Sequence, residues 1–206
     1  MQIDVDVYQN IFIAFLLLAI IIILIFFLRR KSSSEASYVK SSLDGKRYLT
    51  QNLKDKQQAA FILSEINNRI LKLKNYLKTH INQYPEYAPY IQQFDQKIKG
   101  VVLQENAPNG QYTSYTINKG EEIVLCLRSN KDQQLHDINL IMYVVLHELA
   151  HVACPELNHT PLFKKIFVFL LRIAMKLDIY HYVNYQIDPH EYCGLMINED
   201  VIKSNK

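Results

Sequence analysis

Residues Ile138 to Ala153 read INLIMYVVLHELAHVA. Apolar side chains fill almost every position, Asp137 precedes the run as an N-cap, and Pro155 lies just beyond it. That pattern predicts a buried helix ending near Ala153. Within it stands His147-Glu148-Leu149-Ala150-His151, an HExxH motif. Residues at i and i+4 share one helical face a turn apart, so both imidazoles reach one metal ion. Glu148 sits about 100° around the helix, beside the metal and not on it, where a carboxylate polarises water. With 7 His in the chain, a shuffled sequence would hold about 0.01 such motifs. Two His and a Glu in so apolar a helix are costly to bury without a partner. The plain alternative is a pair of core histidines satisfied by hydrogen bonds.

A zinc centre needs a third protein ligand. His159 follows eight residues after His151, and Cys154-Pro155 between them must end the helix and let the chain turn back. Cys154, Glu156, His181 and His190 are rivals. His159 is preferred because it stands just ahead of Thr160-Pro161, a helix start, on a turn held between two helices. The helix so opened is expected to run to about Leu177, with Phe163, Ile166, Phe167, Leu170 and Ile173 inward. Lys164, Lys165, Arg172 and Lys176 argue against its being a membrane span.

Upstream, Tyr112–Ile117 and Ile123–Leu127 are rich in β-branched and aromatic residues around the turn Asn118-Lys119-Gly120-Glu121, which predicts a β-hairpin. Val101–Leu103 is a candidate further strand, and Glu86–Ile98 a short helix. Apolar residues from Leu49 to Ile81 recur at helical spacing, which predicts one long amphipathic helix ending before Pro85. The tail from Tyr180 reads as short extended pieces around Pro189 and Gly194. No internal repeat is present.

Ile11–Leu28 is eighteen residues without a polar side chain, closed by Arg29-Arg30-Lys31. At 1.5 Å per residue the run spans roughly 27 Å, which predicts a transmembrane helix in a lipid bilayer. A signal peptide would carry its basic residues before the apolar core and a small-residue cleavage site after it. The basic flank places the N-terminus outside and the C-terminal domain in the cytosol, a single-pass arrangement. The expected division is a tail over 1–10, a membrane helix over 11–28, a Ser-rich flexible tether over 29–48 and one domain over 49–206.

The 206 residues are 49% hydrophobic and 21% charged with a net charge of +3, which excludes a disordered chain. Five Gly and six Pro exclude collagen-like and low-complexity architecture. Three widely spaced Cys, an odd number, argue against a disulfide-stapled module and for a reducing compartment.

The HExxH helix, a short turn, His159 and then Phe163 four residues later resemble the WLM and SprT-like zinc metallopeptidases over about residues 112 to 175. The interval from His151 to His159 is a little longer than the usual WLM spacing. The resemblance implies an α+β fold, a mainly helical zincin-like domain with a small antiparallel sheet or hairpin, which here follows the one transmembrane helix that the apolar run predicts. It also implies Zn2+ held by His147, His151 and His159, with Glu148 as the catalytic general base and a protein or peptide as substrate. Tyr192 and His190 are candidates to stabilise an oxyanion, and strand 123–127 is a candidate edge for an extended substrate. No basic arm is present, so nucleic acid is not an expected partner. Two other readings compete: a catalytically silent zinc domain tethered to a membrane, and a scaffold whose Leu49–Ile81 helix binds a partner coiled coil. Retention of Glu148 speaks against the first, since a structural zinc site has no need of it.

Overall fold

A computed structural model describes the backbone of residues 5–108, 110, 113–118 and 120–203, and side chains within these ranges from 9 to 25 and from 35 onward. The chain is α+β. Its elements run α1 (Val5–Ser34), β1 (Ala36–Lys40), β2 (Arg47–Gln51), α2 (Lys56–Thr79), α3 (Ala88–Lys97), β3 (Val102–Glu105), β4 (Tyr115–Ile117), β5 (Glu122–Leu125), α4 (Ile138–Ala153), α5 (Pro161–Lys176), β6 (His190–Tyr192) and β7 (Leu195–Ile197). Five strands form one mixed sheet in the order β1-β2-β3-β5-β4, and β6 and β7 form a separate hairpin.

The sheet is larger than the expected hairpin. β4 and β5 do pair antiparallel, Thr116 opposite Ile123, although Tyr112 and Lys119 lie outside the described residues. β2–β3 and β3–β5 are parallel. A parallel pair needs a crossover, and α2 with α3 supplies it between β2 and β3.

The stretch read as a flexible tether over 29–48 is structured: its first residues belong to α1, and from Ala36 onward the chain forms β1 and the start of β2. Val39 and Tyr48 are buried, Ser41 bonds Ser64 of α2 at 2.7 Å, and the turn between the strands uses Gly45 at φ 71°. The left-handed backbone favours glycine, and Asp44 accepts from the Lys46 amide to close the turn. The sequence signal was there: Asp44-Gly45 between ASYVK and RYLTQ is a hairpin turn pair. The long helix accordingly starts at Lys56 and not at Leu49, because Leu49 pairs within the sheet.

α4 runs through the centre of the core. Ile141, Met142, Val145, Leu146 and Leu149 are fully buried between the sheet and helices α3 and α5. The Asp137 side chain caps it by accepting from the Asn139 amide, and Thr160 caps α5 by accepting from the Phe163 amide. Both caps stand where the sequence put them. The apolar face of α2 (Leu63, Ile66, Ile70, Leu73 and Leu77) is buried in the same core, while Phe61 and Leu71 stay exposed on the helix.

Two expectations are overturned. Among the described residues no helix is long and apolar enough to cross a membrane. The transmembrane anchor over 11–28 and the single-pass localisation with a cytosolic C-terminal domain therefore find no support in the fold. The side chains of Arg29, Arg30 and Lys31, and residues 1–4 of the expected tail, lie outside the described residues.

Cys126 and Cys193 form a disulfide, whereas the three widely spaced Cys argued against a disulfide-stapled module, and Cys154 is free and buried. The partners are 67 residues apart, and the fold alone brings the β6–β7 turn against the end of β5. An odd count left one cysteine over without forbidding a pair.

Candidate metal centre

Helical geometry sets His147 and His151 on one face of α4. The helix ends at Ala153, and the chain then reverses through Asn158, which takes a left-handed backbone at φ 66°. Asparagine tolerates that conformation better than most residues. The reversal carries His159 back over the end of α4. The three Nε2 atoms form a triangle with edges of 3.0, 3.2 and 3.2 Å.

Phe163, one turn into α5 and almost fully buried, packs beneath all three rings. It stacks on His151 with centroids 4.1 Å apart and meets His147 and His159 edge-on at 5.0 and 4.9 Å. Its amide is the one that Thr160 caps, so the helix start that orients His159 also fixes the aromatic floor.

The donor set fits zinc. Three Zn–N bonds of about 2.0–2.1 Å at tetrahedral angles place their nitrogens about 3.3 Å apart, close to the observed edges. Burial, then the charges of His151 and His159, hold the His147 imidazole down to about 3, so it is neutral and able to ligate at physiological pH. Among the described residues these three histidines are the group able to hold a metal ion. The rivals stand elsewhere: Cys154 is buried at the end of α4, Glu156 is exposed, and His181 and His190 face Asp178 and Asp188.

Glu148 projects from α4 beside the triangle and is buried. Its Oε2 accepts a hydrogen bond from the Thr116 hydroxyl of β4 at 2.8 Å. Burial pushes its carboxyl up to about 7, with the Thr116 bond pulling the other way. A carboxyl near neutrality is suited to taking and returning a proton.

A cleft of about 780 Å³ opens over this group, with His147, Glu148 and His159 on one side and Tyr192, Leu195 and Met196 on the other. The second wall is the β6–β7 hairpin. It is fastened by the Cys126–Cys193 disulfide, by the Asn130 side-chain amide donating to the Cys193 carbonyl at 3.0 Å, and by the Tyr192 hydroxyl paired with Ser114 at 2.8 Å. His136 stacks on Tyr192 with centroids 5.1 Å apart. Of the two oxyanion candidates, Tyr192 therefore lines the cleft and His190 does not.

Sequence reasoning missed the frame around the site. Arg128, on the connection from β5 to α4, is buried and bonds Glu105 of β3 and Asp55 before α2, both at 2.7 Å. Glu105 also accepts from the Gln51 amide of β2. One guanidinium thus ties three segments that are far apart in the chain. Its donors form a fork that suits two carboxylates at once.

The WLM domain profile matches residues 45–160, beginning well upstream of the stretch that carries the motif and ending just past His159. A protein of Acanthamoeba polyphaga mimivirus is 60% identical over 170 residues, covering 82% of this chain and 86% of that protein. A protein of Invertebrate iridescent virus 6 is 29% identical over 137 residues, covering 66% of this chain and 73% of its own length. The crystal structure of Wss1 from Saccharomyces cerevisiae is similar with a TM-score of 0.45 at 23% identity, over 61% of this chain and 83% of that one. A profile match over more than half of the residues, together with a relative 60% identical along most of its length, shows that the chain belongs to the WLM domain family.

Proposed function

We propose that the protein is a zinc-dependent metallopeptidase that hydrolyses peptide bonds in protein or peptide substrates. One observation carries this reading: three imidazole nitrogens converge within 3.0–3.2 Å of one another, and a carboxylate that is not part of the triangle stands next to them in the same cleft. His147, His151 and His159 would hold the ion, which supplies Lewis-acid polarisation of water and carbonyl oxygen when bound. Glu148, with a carboxyl near neutrality, accepts a proton from the attacking water and returns it to the leaving amine. The open cleft, apolar at Phe167, Leu195 and Met196, leaves room for several substrate side chains.

Metal analysis and hydrolysis of a mixed peptide library by the full chain test the proposal. The native protein is expected to bind one zinc and to cleave. Glu148→Gln should keep the zinc and lose hydrolysis by roughly three orders of magnitude or more, since base and metal act as one unit. His159→Ala should lose both. Zinc retained at full stoichiometry in His159→Ala, or loss of zinc in Glu148→Gln, would overturn the assignment of roles. Zinc without cleavage in the native chain would make this a metal-stabilised binding domain.

A further inference from the structure

The edge strand β4 pairs antiparallel with β5, and Thr116 lies directly opposite Ile123. Residues opposite one another across such a pair point to the same face of the sheet. Ile123 is fully buried on the side that α4 covers, so Thr116 turns towards α4 as well. Its hydroxyl meets the Glu148 Oε2 at 2.8 Å, the one hydrogen bond to that carboxylate among the described residues. Threonine combines two properties here. The β-branched side chain has few rotamers on a strand, and the hydroxyl both donates and accepts.

We propose that Thr116 is the positioning residue for the general base, holding Oε2 of Glu148 so that Oε1 is presented to the water. The inference rests on the peptidase reading above. When Glu148 is a carboxylate, the Thr116 hydroxyl donates to Oε2. After Glu148 has taken a proton from water on Oε1, Oε2 is the carbonyl oxygen of the neutral carboxyl group and still accepts from the Thr116 hydroxyl, so the group stays partnered. Glu148 then gives the proton to the leaving nitrogen, and the first arrangement returns. Thr116 neither gains nor loses a proton over the cycle. A lysine or arginine at this position would hold only the charged form, and a valine would leave the buried carboxylate unpartnered and free to rotate.

The test compares Thr116→Val, Thr116→Ser and Glu148→Gln in the zinc-loaded full chain. Valine is close in shape and suits a strand. Thr116→Val is expected to keep one zinc per chain and an unchanged KM while kcat falls about ten- to a hundredfold, the scale of a misplaced catalytic group. Thr116→Ser should recover most of that loss. Adding Thr116→Val to Glu148→Gln should lower the residual rate no further. An unchanged kcat in Thr116→Val, a serine variant as slow as the valine variant, or a further fall in the double variant would overturn the proposal.

A second measurement separates this outcome from failure of the peptidase reading. A hydroxamic acid that chelates the metal gives up its proton to the base, so its affinity reads the placement of Glu148 without any cleavage. Affinity should weaken about tenfold in Thr116→Val and recover in Thr116→Ser. If the native chain cleaves nothing, equal hydroxamate affinity in the native and Thr116→Val proteins would still sink the positioning role.

Discussion

Helix α4 and the β6–β7 hairpin form opposite sides of the same cleft. α4 delivers His147, Glu148 and His151 within five consecutive residues, and their directions are dictated by the helical repeat. The hairpin is two strands of three residues each, with no hydrophobic face able to hold it alone. It stays in place through a disulfide, two side-chain hydrogen bonds and one ring stack, all to residues far away in the chain. The α4 side of the cleft is thus set locally and rigidly, while the hairpin side is set by long-range fastenings. The two sides should respond differently to the same disturbance.

The largest difference is expected from the disulfide. Cys126→Ala with Cys193→Ala, or reduction, releases a closure spanning 67 residues, which chain-entropy reasoning values at roughly 4 kcal/mol. Urea unfolding should shift by about that amount and peptide cleavage should fall. Zinc content should stay at one per chain, since none of the three histidines lies on the hairpin. Loss of zinc together with the wall would show that the two sides are not independent.

A second disturbance acts on α4 alone. In the metal-free protein, burial and two neighbouring histidines hold His147 down to about 3, against about 6.5 in the unfolded chain. Below 6.5 the unfolded state takes up a proton that the folded state refuses, so stability falls as pH falls through that window. Between pH 7.5 and 5 the loss from this site is roughly 2 kcal/mol. Urea titrations of the native chain and of His147→Phe at both pH values measure it, and the variant should lose less. An equal loss in both would remove His147 as the cause.

The smallest effect is expected at the joint between hairpin and sheet. Tyr192→Phe removes a hydroxyl paired with Ser114, which keeps its bond from the Cys126 amide. The stability loss should be about 1 kcal/mol, with zinc content unchanged. If kcat instead falls a hundredfold at constant KM, Tyr192 takes part in stabilising the oxyanion, and the wall is more than a wall.

The sequence by itself determined the helices around the site and the residues facing the cleft from α4. Asp137, Thr160 and Pro161 mark helix starts by their own chemistry, and HExxH is one turn of helix in which spacing equals geometry. The place of His159 beside His147 and His151 was legible for a related reason: Cys154-Pro155 had to end the helix, and only a short turn remained before the next cap. Apolar run length was a weaker guide, since it predicted a membrane span and no helix among the described residues is long and apolar enough to cross a membrane. Only the tertiary structure decided the five-stranded order, the Arg128 bridge, the Cys126–Cys193 pair and the approach of Thr116 to Glu148. Each of these joins segments remote in sequence. Helix caps and i,i+4 spacing are fixed by bonds within a turn or two, whereas partners across a sheet or a loop are chosen by how whole elements pack, and no short stretch of residues encodes that choice.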